Sequence, residues 1–439
     1  MPLVAGAIPA AGAEQPGYLI VVSAATRADP DWAEVVSALE AKHRDRGTTV
    51  IEWRDTVAES AAPLAAAMPQ HACFVARPEE AGRTFVAAVH AISRSLDDDP
   101  YGDVLWGILT GFDAANALSI AKTTEPLVIR RVTSGTEIAM DRVVEGEWFS
   151  ELTPQRMVRK PAGEEPEEVR GPGDTTAALA SRLTEGHTDL FVTSGHATER
   201  DWQIGFAYRN GQFRSAAGRL VGIDTKGTKI PIVSANPKVW LPVGNCLAGH
   251  VDGGDALALA FMNSCGVRQM IGYTVPTWFG YAGWGCLDYF LEQPGRFTLC
   301  EAFHANHHAL VHRLETNADP KGERGLTFDR DVVAFYGDPA WDARMADGKL
   351  QLSQRLTERD GLFTLEVTPL DGAQSYAPVN TNGSQRGGRP IVQFLPRRLG
   401  PVEVVDGMEW KPVVTDTFVL VPLPPADATE TVRVSFRCR

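Results

Sequence analysis

Short apolar runs alternate with amphipathic stretches from Tyr18 onward. Residues 18–23 (YLIVVS), 48–53 (TTVIEW), 72–77 (ACFVAR) and 103–110 (DVLWGILT) read as buried strands. Residues 30–45, with Asp29 or Asp31 near the start, and residues 83–95 read as helices between them. This β-α-β-α rhythm predicts a parallel sheet covered by helices. Residues 161–176 (PAGEEPEEVRGPGDTT) interrupt it with proline, glycine and acid and no apolar period, which predicts a linker or mobile surface loop and a candidate processing site. The rhythm then resumes, with a helix over 177–185, strands over 189–194 (DLFVTS), 239–245 (VWLPVGN) and 267–275 (VRQMIGYTV), and helices over 255–263 and 299–315. Beyond about residue 347 the segments LFTLEVTPL, RPIVQFL, TFVLVPL and TVRVSF alternate or run apolar between Gly, Pro and Asn. Without helical period, such a region predicts a small β-sandwich. The pattern thus divides the chain into a leader (1–17), two α/β units (18–170 and 171–347) and a sandwich (348–439).

Composition narrows the class. The 439 residues are 44% hydrophobic and 22% charged, ordinary for a soluble globular protein. The net charge of −13, with no long basic run, argues against a phosphate-neutralising nucleic-acid face. The six cysteines form no CxxC pair, which argues against a zinc site built on close pairs, and they are too sparse for a disulfide framework. No run approaches the roughly 20 apolar residues of a membrane span. Residues 2–13 are small and apolar and end in Ala11-Gly12-Ala13, which reads either as a leader or as the tail of an export signal, the latter favouring a secreted or periplasmic protein.

Two strand ends carry candidate chemistry. Asp189-Leu-Phe-Val-Thr-Ser-Gly-His196 delivers a histidine, and Val239-Trp-Leu-Pro-Val-Gly-Asn-Cys246 delivers a cysteine. Reactive groups in parallel α/β sheets lie beyond the C-terminal strand ends, so adjacent strands would set imidazole beside thiol. A free thiol is only a few per cent thiolate at neutral pH; an imidazolium lowers its pKa and can then protonate a leaving amine. The N–H of Cys246 and one following His196 would serve an oxyanion hole, each donor worth about 3 kcal/mol. Either residue alone is more often a core or turn residue. The order is more specific: histidine first, cysteine 50 residues later, as in caspases.

Four segments in order resemble gingipain-like cysteine peptidases, of the clan that includes caspases and legumains. Ser194-Gly-His-Ala-Thr-Glu-Arg-Asp-Trp202 is similar to their histidine segment, and Gly244-Asn-Cys-Leu-Ala-Gly249 to their Cys-x-x-Gly segment. Val267 to Trp278 (VRQMIGYTVPTW) resembles the strand and tryptophan loop that follow, and Phe335-Tyr-Gly-Asp-Pro-Ala340 the Gly-Asp-Pro element closing the catalytic domain. Trp106 to Asp113 (WGILTGFD) and Glu125 to Arg130 (EPLVIR) resemble the segments that hold the family's acidic residues. The resemblance implies a caspase-like sheet-and-helix catalytic region in two halves and an immunoglobulin-like sandwich after it. It implies Cys246 as nucleophile, His196 as general acid/base, Glu125 as the orienting carboxylate, and Ala197 with Cys246 as oxyanion donors. Trp278 would line the pocket for the residue before the cut, with Glu137 or Asp113 as its acid if that residue is basic. Implied partners are a protein or peptide substrate; no cofactor is required, and a structural calcium ion is compatible with the family.

Three features depart from the pattern. Ala197 replaces the glycine that usually follows the histidine; Pro242 interrupts the strand before Cys246; and 203–235 is an insertion, where Asn210-Gly211 predicts a hairpin over the cleft. Ala197 keeps open a catalytically silent binding module. A third reading, a glutamine-amidotransferase-like hydrolase, lacks the His-x-Glu pair expected after the cysteine. His304, His308 and His312 lie on one helical face, a metal-binding spacing without the general-base glutamate, and read as a solvated or partly packed surface.

Overall fold

The computed structural model describes residues 17–185, 188–316 and 319–439. The expected leader therefore lies outside the described residues, Gly17 excepted. The frame is a 12-stranded sheet. Its order is Thr49–Trp53, Tyr18–Ser23, His71–Val75, Leu105–Leu109, Val333–Tyr336, Val267–Tyr273, Lys238–Pro242, Leu190–Thr193, Arg131–Ser134, Glu145–Phe149, Arg156–Lys160 and Glu167–Arg170. All six residues of Tyr18–Ser23 and all five of Lys238–Pro242 are buried, so both faces of the sheet are covered. Two groups of helices pack together. Leu299–Thr316 packs with Tyr281–Phe290 and Pro320–Asp329, and Pro30–Lys42 packs with Ala114–Ala121.

The sheet is continuous across the division expected at residue 170. The strands from Arg131 to Arg170 extend it beyond Leu190–Thr193, and Val333–Tyr336 sits between Leu105–Leu109 and Val267–Tyr273. The expected linker at 161–176 is in part the edge strand Glu167–Arg170, paired antiparallel to Arg156–Lys160. It shows no apolar period because an outermost strand faces solvent on both sides. Gly-Asp-Pro proves to be a structural clamp. The buried Asp338 carboxylate accepts from Tyr18 Oη (2.9 Å), His43 Nε2 (2.7 Å) and the Ala340 N–H (3.0 Å) and pairs with Lys42 Nζ (2.8 Å), tying the end of the α/β region to its first strand. Burial alone would raise its pKa, but the bonds from His43 and Lys42 hold it well below the usual carboxylate range.

After Met345 the chain forms two antiparallel sheets. One holds Leu352–Arg359, Leu362–Pro369, Val432–Cys438 and Val402–Asp406; the other holds Ile391–Phe394, Phe418–Val421 and Val413–Val414. Alternation along the second sheet shows how this unit is seated. Ile391, Val419 and Val421 enter a local core with Phe363, Leu365 and Val434, while Val392, Phe418 and Leu420 join the main core. The histidine face meets this sheet. His304 and His308 are buried rather than solvated, and the His308 ring stacks on Phe418 at 4.1 Å and 13°. His304 Nε2 accepts the Trp106 N–H at 2.9 Å, and burial pushes its pKa down to about 3. Only His312 reaches partial exposure, its Nδ1 lying 3.2 Å from Tyr101 Oη.

Candidate active site

Four neighbouring parallel strands build the site. Glu145–Phe149 pairs with Arg131–Ser134, which pairs with Leu190–Thr193, which pairs with Lys238–Pro242. Just beyond their C-terminal ends stand Glu151, Thr136, His196 and Cys246, in that spatial order. Adjacent strands are about 4.8 Å apart, so the register Thr193↔Pro242 carries the histidine and cysteine loops to the same edge. Asn245 ties them together. It accepts from Thr193 Oγ1 (2.7 Å) and donates from Nδ2 to the Gly195 carbonyl (3.1 Å).

The histidine loop turns at Gly195, whose φ of 87° favours glycine. Trp202 Nε1 donates to the Ser194 carbonyl (2.8 Å), and its indole ring fills the space above Gly135. His196 is exposed, with the Phe206 ring 4.8 Å away. Ala197 lies at ordinary φ and bridges Trp202, so the missing glycine costs this turn nothing.

The cysteine loop leaves its strand at Pro242. Val243 N–H bonds the Thr193 carbonyl, so the Pro242 nitrogen faces the other neighbour, whose ladder already ends at Trp240↔Met270. Proline there removes no bond. The Cys-x-x-Gly spacing also has a cause: a Cβ on Gly249 would lie 2.3 Å from the Gly272 carbonyl oxygen. Leu247, directly after the cysteine, has φ 57°, a strained value for a branched side chain. Cys246 is half-buried; its Sγ accepts the Thr277 N–H at 3.2 Å. Among the described residues no hydrogen bond joins Cys246 to His196, and neither the Ala197 nor the Cys246 N–H donates to another protein group.

The expected acids fare unevenly. Glu125 is exposed and precedes the entry end of strand Arg131–Ser134, the edge opposite His196, so it does not orient that histidine. Its carbonyl accepts from Trp341 Nε1. Glu151 is the carboxylate that grips the histidine loop. Its Oε1 accepts from Thr136 Oγ1 (2.7 Å), its Oε2 accepts from Ser194 Oγ, and its backbone carbonyl accepts the N–H groups of Phe206 (2.8 Å) and Ala207 (2.9 Å). Burial raises its pKa; the Ser194 and Thr136 hydroxyls offset part of that. The signal for it was the strand-end rule that finds His196 and Cys246, applied to Glu145-Gly-Glu-Trp-Phe149. Glu137 stands at this edge, its Oε1 held by Arg156 Nη1 (2.8 Å) and Ser150 Oγ (3.0 Å). Asp113 caps the helix Ala114–Ala121 through the Asn116 N–H (2.8 Å). Trp278 follows the thiol-bonded Thr277, is 50% exposed, and lies 5.4 Å from the Phe328 ring. The insertion is a four-stranded antiparallel sheet, Asp201–Gln203, Gln212–Ala216, Arg219–Ile223 and Lys229–Ile232. Its tight hairpin turns at Ala217-Gly218 (φ 48° and 70°), not at Asn210-Gly211, because a two-residue turn of this hand needs positive φ at both positions.

Two clusters present metal-ligand atoms within 4.8 Å of one another. Asp97, Asp103 and Asp416 fit a hard cation such as calcium through the unpartnered Asp103 Oδ2 and Asp416 Oδ1, with Arg398 bonding the other Asp416 oxygen. Asp103 is buried, with Oδ2 unpartnered, and burial followed by repulsion from Asp97 pushes it up to about 9. His90, His307 and Asp331 do not fit, because the Arg94 guanidinium already lies 2.7 Å from Asp331 and 3.4 Å from His307 Nε2.

No protein-family model and no curated protein matches the chain. One solved structure, described as "Structure of Protease", aligns over 80% of this chain and 85% of its own at 9% identity and a TM-score of 0.39, a likeness too low to carry an argument.

Proposed function

We propose that this chain is a cysteine peptidase of caspase–gingipain type. The observation that carries the reading is the delivery of His196 and Cys246 from neighbouring parallel strands to one edge, with Asn245 joining the two loops. Cys246 attacks the scissile carbonyl, and His196 takes the thiol proton and returns it to the leaving amine. Glu151, rather than Glu125, orients the histidine loop. The tetrahedral oxyanion is met by the Ala197 and Cys246 N–H groups, and water then hydrolyses the thioester. Trp278 walls the pocket for the residue before the cut. A basic preference there would rest on Glu137, in competition with its Arg156 partner, since Asp113 is committed to a helix cap. Catalysis needs no cofactor. A structural calcium ion would be held by Asp97, Asp103 and Asp416.

One observation favours a second reading, a catalytically silent binding module: the Cys246 thiol bonds the Thr277 backbone and not His196. A fluorogenic peptide panel varied at the residue before the cut separates the two. Hydrolysis by the wild type, lost in Cys246→Ala, is the expected result; a panel on which the wild type is inert throughout favours the binding module.

A further inference from the structure

A loop of the C-terminal β unit crosses to the same edge. Residues 379–389 connect Leu362–Pro369 to Ile391–Phe394 without regular structure of their own. Buried charge pins the loop down. Arg386 bonds Asp288 (2.6 Å) and Glu292, and Arg389 bonds Asp288 (2.9 Å), all with side chains at most 5% exposed. Asp288 belongs to the helix Tyr281–Phe290, whose Trp284 ring fills the space over Gly244, two residues before the thiol, and over Gly383 of the loop. At its other end the loop reaches the strand ends beside His196. Asn380 Nδ2 donates to the Glu137 carbonyl (3.4 Å), and Asn382 Nδ2 donates to that carbonyl (3.3 Å) and to Thr136 Oγ1 (3.1 Å).

The direction of these bonds matters. The Glu137 carbonyl can only accept, so the nitrogen of the Asn382 amide is the atom that faces it. Thr136 Oγ1 then receives a donor from Asn382 and turns its own hydrogen to Glu151 Oε1, 2.7 Å away. Glu151 holds Ser194 with its other oxygen and the Phe206 N–H with its carbonyl, the two sides of the His196 turn. A chain of bonds thus runs from the C-terminal unit to the histidine loop. Hydrogen-bond chains polarise one another, and losing an end member loosens the rest.

We infer that Asn382 is a positioning residue of the active site, acting through Thr136 and Glu151 on His196, so that the C-terminal β unit completes the catalytic machinery rather than serving as an appendage. The inference rests on the peptidase reading above.

The test reads the thiol directly. Alkylation of Cys246 by iodoacetamide, followed by peptide mapping across pH in wild type, Asn382→Ala and Asn382→Asp, reports how far the histidine side supports the thiolate. Both variants should react about fivefold more slowly at neutral pH, the effect of one lost hydrogen bond. Their acid limbs should move to higher pH, because a Glu151 carboxylate that loses the Asn382 amide, one of the groups holding its pKa down, protonates sooner. Asn382→Gln, which keeps the amide donor, should recover at least half of the wild-type rate. Thermal melting within about 2 °C of wild type excludes a folding artefact, and the isosteric Asn382→Asp covers the case in which Asn382→Ala melts early. Overlapping alkylation profiles for wild type and Asn382→Ala would overturn the inference. A shifted profile in a protein that cleaves no peptide would instead keep Asn382 and sink the peptidase reading.

Discussion

Replacing Glu151 with glutamine separates function from stability. The buried carboxylate has a raised pKa, so the folded state holds that proton to higher pH than the unfolded chain does. Wild-type stability therefore falls as pH rises from the unfolded value, about 4.3, through the folded one, and the penalty is fully present above it. The raised pKa already nets the hydrogen bonds from Ser194 and Thr136 against the cost of burying charge. Glutamine keeps the shape and removes the charge, so at pH 7 the variant should melt no earlier than wild type, and the two should converge below about pH 4. Activity should move the other way. Glutamine leaves one oxygen for two hydroxyls, so either Thr136 or Ser194 loses its acceptor. A hydrogen bond to a charged group is worth about 1.5–3 kcal/mol, which puts the fall in kcat at roughly tenfold to a hundredfold. KM should change by less than about threefold, because Glu151 does not line the pocket near Trp278. The assay is steady-state hydrolysis of a cleaved fluorogenic peptide, paired with thermal melting at pH 7 and pH 4. A kcat within twofold of wild type, or a loss matched by earlier melting, would refute the role given to Glu151.

Three further outcomes follow from the same geometry. Leu247→Gly relieves a left-handed backbone worth about 1–2 kcal/mol, so the variant should melt as late as wild type or later while kcat drops about tenfold as the turn carrying Cys246 loosens; earlier melting would show that the strain is not there. Asp338→Asn leaves Lys42 without its buried counter-charge and takes an acceptor from His43, and should cost about 3–5 kcal/mol by urea unfolding at pH 7. Because the folded pKa is depressed, that contribution is full above the unfolded value of about 3.9 and is lost as pH falls through the folded one, so equal sensitivity to acid in both proteins would contradict it. Millimolar calcium added to chelator-treated protein should raise the melting temperature, by up to about 2.7 kcal/mol of stabilisation at a hundredfold excess over Kd, and Asp103→Asn should abolish the rise.

Much of this architecture was legible because it follows from short-range rules. Buried strands such as Tyr18–Ser23 and Leu190–Thr193 announce themselves as continuous apolar runs, and Asp29 caps the helix at Pro30–Lys42 as its chemistry requires. His196 and Cys246 were legible because the strand-end rule needs only the strand. The less legible parts depend on contacts between distant segments. Glu167–Arg170 carries no apolar period, since an edge strand buries little. Glu145–Phe149, with three polar or glycine positions, hides the strand that delivers Glu151, and Glu125 drew attention by likeness alone. The histidines of Leu299–Thr316 have surface-like spacing, yet the C-terminal sheet covers them, and nothing local to 303–312 encodes that cover. Asn382 lies 186 positions from His196 in the chain, and only the folded structure joins them.

The most direct test of the central claim is to catch the acyl-enzyme. Intact-mass and peptide-map analysis of protein quenched during turnover of a cleaved peptide ester should show a single thioester adduct on Cys246. The adduct should persist longer in His196→Ala, where deacylation lacks its base. An adduct on the exposed Cys438 instead, or turnover with none on Cys246 in either protein, would contradict the assignment of Cys246 as nucleophile.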